Sequence, residues 1–258
     1  MDLGLKARKA IVTGATRGIG RAIAQALADE GCDVGICARD AAGVEAAVAD
    51  LARRGVRATG RPVDVGDGAA LKAWIEAAGR ELGGLDIVVS NVSAMGGIPG
   101  EEGWKRYFEI DILGAVRAVE AAMPFLEKST AGAIVQVASI AAIEVGHDVF
   151  PDGYLQAYGA MKAALTNYMA ELSRTLGPKG IRANTVTPGQ IYFPGGVWQR
   201  REQAGDPMVA KALARIRLGR FGRPEDVARA VAFLASPAAG FISGANLVID
   251  GAFTRRVN

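Results

Sequence analysis

The sequence of 258 residues contains one histidine, His147, and two cysteines, Cys32 and Cys37. A single histidine argues against a histidine-based zinc site and against a Ser-His-Asp triad. The two cysteines lie five residues apart in a short apolar stretch. If that stretch is a strand, they face opposite sides and cannot pair within it. We therefore expect neither a metal site nor a disulfide scaffold.

The chain also lacks an excess of charge of one sign, since 30 Lys and Arg stand against 27 Asp and Glu, a net charge of +3. Without a basic stripe, nucleic-acid binding has no electrostatic footprint. No apolar run reaches the ~18 residues of a membrane span. The chain start runs directly into the first predicted strand, with no room for a signal peptide. We expect no nucleic-acid partner, no membrane association and a cytoplasmic location.

Short apolar runs alternate with longer amphipathic segments along the chain. Several runs, such as Ile87-Val88-Val89, are unbroken, which is typical of strands buried on both faces of a parallel sheet. This alternation predicts an α/β fold: a doubly wound, parallel, seven-stranded sheet with helices on both faces, as one domain over residues 1–258. The predicted strands are Lys9–Thr13, Asp33–Ala38, Val56–Pro62, Ile87–Asn91, Ala133–Ala138, Ile181–Thr187 and Asn246–Asp250. The predicted helices are Gly18–Glu30, Ala42–Arg54, Ala69–Leu82, Trp104–Glu127, Gln156–Leu176 and Pro224–Ala235.

One segment, residues 190–218, breaks this alternation. It follows a predicted strand and mixes proline and glycine with aromatic and charged residues. A long excursion at the carboxyl end of a strand is usually a lid or a binding loop. We predict a substrate lid here, with a solvent-exposed insertion as the alternative.

A glycine-rich turn follows the first strand, with Gly14, Gly18 and Gly20 in a G-x-x-x-G-x-G spacing before a helix. Glycines there allow a tight turn and let a pyrophosphate approach the helix N-terminus, where free N–H groups favour anions. The order of strand, loop, helix and second strand therefore predicts a dinucleotide site.

The end of the second strand bears on which dinucleotide binds. An acidic residue there would bind the ribose 2′-hydroxyl of NAD, whereas arginine accommodates the 2′-phosphate of NADP. Ala38 stands where an acid could lie, Arg39 follows it, and Arg17 adds a second cation from the glycine loop. Asp40 would partly offset Arg39, and both arginines could be ordinary surface charges. We predict NADP(H) as the preferred cofactor, with NAD(H) as the alternative.

Tyr158 and Lys162 are four residues apart in a predicted helix and therefore share one face, one turn apart. A phenol, with a reference pKa near 10, is a poor base at neutral pH, but a neighbouring ammonium favours the phenolate. Ser139 follows a buried strand at the sheet edge where ligands bind, so it could hydrogen-bond a carbonyl oxygen. Each feature alone is weak, since such pairs and strand-end serines also occur by chance.

Together these motifs resemble the short-chain dehydrogenase/reductase family, and the resemblance spans nearly the whole chain. It implies a Rossmann fold, usually as a homotetramer or homodimer. Ser139 would polarise the substrate oxygen, Tyr158 would exchange a proton with it, and Lys162 would bind the nicotinamide ribose and lower the tyrosine pKa. The candidate cofactor-binding residues are Gly14, Thr16, Arg17, Gly18, Ile19, Gly20, Arg39, Asp64, Val65, Asn91, Lys162, Pro188, Gly189 and Ile191.

Three positions depart from the family pattern. Asn91 is followed by Val92 and Ser93 rather than Ala and Gly, and Phe193 stands where threonine is common. Asp111 replaces the helix asparagine that supports the family's proton relay. We keep Asp111 in the candidate catalytic set with Ser139, Tyr158 and Lys162, and expect an altered relay because an ionised aspartate cannot donate.

The predicted function is NADP(H)-dependent interconversion of a ketone or aldehyde and a secondary alcohol. The alternatives are an NAD-dependent alcohol dehydrogenase of the same family and a non-catalytic NADP(H)-binding subunit. Aromatic residues between Ser139 and Tyr158 and in the lid favour a bulky aromatic or alicyclic substrate, although these rings could instead pack the lid or a subunit interface. The candidate substrate residues are Ser93, Phe150, Tyr154, Tyr192 and Trp198.

Overall fold

The computed structural model describes residues 2–95, 100–145 and 156–255. Its centre is a seven-stranded sheet in the order β3-β2-β1-β4-β5-β6-β7, in which all neighbours are parallel. This is the predicted doubly wound Rossmann arrangement. The strands are β1 Lys9–Thr13, β2 Asp33–Ala38, β3 Ala58–Pro62, β4 Ile87–Ser90, β5 Ala133–Val137, β6 Arg182–Pro188 and β7 Asn246–Ile249.

Helices cover both faces of the sheet. One apolar core lies between the sheet and α1, α2 and α9, and a second lies between the sheet and α3, α5 and α6. The helices are α1 Gly18–Asp29, α2 Ala41–Ala52, α3 Gly68–Leu82, α4 Gly100–Tyr107, α5 Gly114–Leu126, α6 Gln156–Leu176, α7 Val197–Gln203, α8 Met208–Arg215 and α9 Pro224–Ala235.

The predicted helix Trp104–Glu127 is wrong as a single element. The chain forms α4, a π-helical segment over Phe108–Leu113, and then α5. A π-helical segment widens the turn and rotates the side chains within it, and such segments are frequent at functional sites. Apolar periodicity does not report it, because the residues remain helical throughout.

The segment predicted as a lid contains two short helices, α7 and α8, which the sequence analysis did not assign. They belong to a third apolar cluster that includes Ile140, Trp198, Ala212, Ile216 and Phe253. This segment therefore packs on the chain that follows β5 and on the chain after β7.

Cys32 and Cys37 are both buried and free, and they lie in the cores on opposite faces of the sheet. This agrees with the expectation that they cannot pair. Among the described residues, no helix is both long and apolar enough to span a membrane. The same part of the chain contains no cluster of three or more metal-ligating side chains of the His, Cys, Asp or Glu type.

Candidate active site

The strand order reverses between β1 and β4, which lie side by side although they are not consecutive in the chain. In open parallel sheets, ligands bind outside the carboxyl ends of the strands at such a switch point. The glycine loop follows β1, Asn91 follows β4, Ser139 follows β5 and Gly189 follows β6. The topology thus brings four of the predicted site segments to one edge.

The glycine loop is held by hydrogen bonds from both sides, from β2 and from Asn91 at the end of β4. The N–H groups of Gly14 and Ala15 donate to the carbonyl of Cys37 at 2.8 and 3.2 Å. From the other side, the Asn91 side-chain amide donates to the carbonyls of Thr13 and Gly14 at 3.0 and 3.3 Å. Asn91 therefore connects the loop to the end of β4 through its side-chain amide.

The start of α1 has no capping side chain and no acidic residue in its first turn. By contrast, Asp40 caps α2 through the N–H of Gly43, and Asp67 caps α3 through that of Ala70. Free N–H groups at a helix start need a partner, and an anion is a suitable one. Among the described residues no side chain caps this end of α1, so its N–H groups can bind a pyrophosphate.

Arg17 and Arg39, the candidates for a 2′-phosphate, are both exposed beside this loop. No ion pair joins either one to a described residue. The Asp40 carboxylate, which could have offset Arg39, accepts the Gly43 N–H at 3.0 Å. Two guanidiniums are therefore available to an anion at the end of β2.

The other cofactor candidates lie around this edge. Asp64 is exposed and accepts the Gly66 N–H at 3.0 Å, whereas the Val65 side chain is buried in the core. Gly189 donates to Ile249 where β6 approaches β7, and Ile191 is buried and bridges to Gly222. The remaining candidates are placed as predicted on the loop, at the start of α1 and at the end of β6: Thr16, Gly18, Ile19, Gly20 and Pro188.

Tyr158 and Lys162 lie on one face of α6, with the ammonium 5.7 Å from the centre of the Tyr158 ring. The Ser139 hydroxyl accepts the N–H of Ala141 at 3.2 Å, which leaves its hydrogen able to donate to a substrate oxygen. Gly159 brings these two segments together, because a Cβ there would lie 2.8 Å from the Ala141 carbonyl oxygen. The glycine next to Tyr158 thus lets α6 pack closely against the chain after Ser139.

The Lys162 ammonium is buried and contacts Asp111 Oδ1 at 3.1 Å and the Val137 carbonyl at 3.3 Å. Burial by itself would lower the pKa of Lys162. The Asp111 carboxylate and the phenols of Tyr158 and Tyr107 act in the opposite direction, and the pKa of Lys162 is raised above its ordinary value. Lys162 is therefore a cation held beside Tyr158.

The segment 190–218 contains two of the candidate substrate residues. The hydroxyl of Tyr192 donates to the Glu202 carboxylate, and this hydrogen bond raises the pKa of Tyr192. Trp198 is buried, with its ring 5.1 Å from that of Phe221, so it packs in the third apolar cluster. Arg215 pairs with Glu144, joining α8 to the chain after Ser139.

Ser93 lies at the carboxyl end of β4, and its hydroxyl oxygen is buried without a hydrogen-bond partner in the described part of the chain. A buried hydroxyl of this kind can accept or donate to a ligand. Phe150 and Tyr154, together with His147, lie outside the described residues. Of the predicted substrate residues, Ser93 and Tyr192 therefore have hydroxyl groups that the structure describes.

Residues 14–254 match the sequence model of a family described as enoyl-(acyl carrier protein) reductase. Isoepoxydon dehydrogenase of Penicillium expansum is 37% identical over 254 residues, covering 97% of this chain and 96% of that protein. Cyclohexanol dehydrogenase of Rhodococcus sp. strain TK6 is 34% identical, covering 98% of each chain. The chain belongs to the short-chain dehydrogenase/reductase family.

The fold comparison agrees with this assignment. A short-chain dehydrogenase from Burkholderia cenocepacia, solved in complex with NADP, superimposes with a TM-score of 0.86 at 31% identity. The match covers 97% of this chain and 99% of that one. As a short-chain dehydrogenase/reductase, the protein is an oxidoreductase acting on CH–OH groups, as its motifs predicted.

Sequence reasoning missed three residues of this short-chain dehydrogenase/reductase site. The Tyr107 ring lies 5.8 Å from that of Tyr158, and the Gln136 amide donates to the same Val137 carbonyl that accepts from Lys162. Gly159 sets the approach of α6. Only Gly159 carried a local signal, a glycine inside a long helix, which needs a packing reason.

Proposed function

We propose that this protein interconverts a secondary alcohol and a ketone or aldehyde with NADP(H) as the hydride carrier. One observation carries the proposal. Tyr158 and Lys162 lie together on α6, which packs against the chain that holds Ser139. These residues lie at the carboxyl ends of the strands, on the same side of the sheet as the glycine loop. A group that moves a proton, a cation that favours the phenolate and a hydroxyl donor are thus collected at one ligand site.

The residues present fit a dinucleotide. The uncapped start of α1 fits a pyrophosphate, and the unpaired guanidiniums of Arg17 and Arg39 fit a 2′-phosphate. When bound, the nicotinamide cofactor accepts or supplies a hydride at the substrate carbon. Lys162 would hold the nicotinamide ribose, as the family resemblance implies.

The chain's own residues perform the proton chemistry. In the oxidative direction, the phenolate oxygen of Tyr158 takes the proton of the substrate hydroxyl, and in reduction the phenol returns it to the developing alkoxide. Ser139 donates its hydroxyl hydrogen to the same substrate oxygen. The Lys162 ammonium stabilises the charged form of the phenol through its proximity.

Substitution of Tyr158 tests the role of the phenol. Tyr158→Phe keeps the ring and removes the proton-transfer group, so we expect oxidation of cyclohexanol by NADP⁺ to fall by about 100-fold or more. NADPH binding, followed by cofactor fluorescence, should stay unchanged. Tyr168→Phe, the same substitution on the same helix but within a core, is the matched control. Near-normal turnover of Tyr158→Phe would refute the assignment, and loss of turnover with intact NADPH binding argues against a purely cofactor-binding subunit.

Cofactor choice is tested by replacing Arg17 and Arg39 together with alanine. Charge-assisted hydrogen bonds contribute about 1.5–3 kcal/mol each, so we expect the loss of two to lower NADPH affinity by about 100- to 10,000-fold while NADH affinity changes little. Arg229→Ala, at a side chain 77% exposed on α9, is the control. Equal losses for both cofactors would contradict the 2′-phosphate assignment, and tighter binding of NADH by the unaltered protein would favour the NAD-dependent alternative.

The substrate proposed is a bulky alicyclic or aromatic ketone or alcohol. The relatives named for cyclohexanol and isoepoxydon support an alicyclic substrate. Ser93 and Tyr192 remain proposed substrate contacts at the described edge. Assembly as a homodimer or homotetramer, the single domain over residues 1–258 and a lid at residues 190–218 also stay proposals, which light scattering and limited proteolysis can test.

A further inference from the structure

The ion pair between Lys162 and Asp111 is a direct contact between two buried charges. The two side chains are 2% and 0% exposed, and Nζ lies 3.1 Å from Oδ1. Moving a charge out of water is costly, and a buried charge is tolerated only where an opposite charge or hydrogen bonds offset that cost. Aspartate at this position therefore does more than occupy the place of a neutral amide.

The π-helical segment Phe108–Leu113 holds Asp111 in this position. The second carboxylate oxygen of Asp111, Oδ2, accepts the N–H of Ala94 at 2.8 Å. One oxygen is thus fixed by the backbone after β4, and the other faces the ammonium. Asp111 connects the β4 edge of the site to α6.

The other groups around the ammonium are two phenols and a backbone carbonyl. Tyr107 from α4 and Tyr158 from α6 face it with phenols. From β5, Val137 contributes a carbonyl, which Gln136 shares. Among the described residues that contact or face Lys162, Asp111 is therefore the carboxylate.

We infer that Asp111 is a positioning residue: its carboxylate keeps Lys162 protonated and fixed beside Tyr158 in a site that otherwise disfavours a cation. This rests on the proposed function of Lys162 but concerns a property of the protein without cofactor or substrate. A neutral residue at position 111 would leave the ammonium buried without a counter-charge. The ammonium would then release its proton more easily.

The test is the titration of Lys162 in the cofactor-free protein, followed by the Cε resonance of ¹³C-labelled lysine and assigned by its absence in Lys162→Met. We expect Asp111→Asn to lower the titration midpoint by about one pH unit or more, a tenfold weaker hold on the proton. Glu109→Gln is the matched control, because Glu109 lies on the same π-helical segment but pairs with Arg117 at the surface. It should leave the midpoint unchanged. An unchanged or raised midpoint in Asp111→Asn overturns the inference.

A second measurement covers the case in which Asp111→Asn is too unstable to titrate. If Asp111→Asn loses stability because the Lys162 ammonium is left without a counter-charge, removing the ammonium as well should restore stability. The double variant Asp111→Asn/Lys162→Met should then melt at a higher temperature than Asp111→Asn alone. A double variant that melts at the same or a lower temperature overturns the inference.

These outcomes are independent of turnover. If Tyr158→Phe proves fully active, the proposed reaction fails while the lysine titration is unaffected. If the titration midpoint of Lys162 is the same in Asp111→Asn as in the unaltered protein, the role of Asp111 in keeping Lys162 protonated is refuted. The reaction assigned to Tyr158 is not affected by that result.

Discussion

Gly20, the last glycine of the cofactor loop, has no room for a side chain. A Cβ at this position would lie 2.3 Å from the Gly14 carbonyl oxygen and 2.5 Å from the Asn91 side-chain nitrogen. Ordinary contact begins near 3.4 Å, so in Gly20→Ala the backbone of the loop must move by about 1.1 Å. The clash is with backbone, which no rotamer change relieves.

The expected effect has two parts. Overpacking of this kind costs roughly 1–3 kcal/mol, which lowers Tm by about 2–12 °C in a protein of this size. The same movement disturbs the Asn91 amide bonds to Thr13 and Gly14, so the loop no longer matches a pyrophosphate. We expect NADPH affinity to fall by more than the stability loss alone explains.

The assay is thermal unfolding together with NADPH titration by fluorescence. Gly177→Ala is the control, because a Cβ there meets nothing within 4 Å and its backbone is not left-handed. Gly177→Ala should change neither the Tm nor the NADPH affinity. Wild-type NADPH affinity and an unchanged Tm for Gly20→Ala would refute the close approach described here.

Two further predictions concern stability. Asp50 accepts hydrogen bonds from Gln25 and Arg21, which lower its pKa from 3.8 to about 2, so its contribution to stability is present above pH 4 and lost as pH falls toward 2. In urea unfolding, Asp50→Asn should be less stable than wild type at pH 6, and the difference should shrink at pH 3. If the difference stays the same at both values, the pKa of Asp50 is not linked to folding. Arg182 donates to the carbonyls of Leu234, Ser236 and Ile242, and its burial lowers its pKa. Arg182→Met should cost about 3 kcal/mol, or about 6–12 °C in Tm, as measured by calorimetry against the exposed control Arg229→Met, and a melt equal to that of the control would contradict this.

The local sequence pattern was sufficient to predict most of the strands and helices. The bounds of β1, β2, α6 and α9 match the prediction, because each is a continuous apolar or amphipathic run with clear ends. The glycine loop and the Tyr158–Lys162 pair were also readable, since their spacing along the chain sets their geometry. Strand ends shifted by a residue or two elsewhere, as at β3 and β6, where edges depend on pairing with neighbours.

The contacts that connect distant segments were decided only by the tertiary structure. Asp111 reaches Lys162 because a π-helical segment turns its carboxylate toward α6, and nothing in the local pattern indicates that turn. Trp198 packs in the third apolar cluster because of neighbours, Ile140 and Phe253, that the sequence does not place beside it. Thus the sequence by itself determined the strands, the glycine loop and the placement of Tyr158 and Lys162 on one helix face, since these follow from local periodicity and spacing. The charge beside that pair depends on which side chains from separate elements share a buried space, and only folding brings those together.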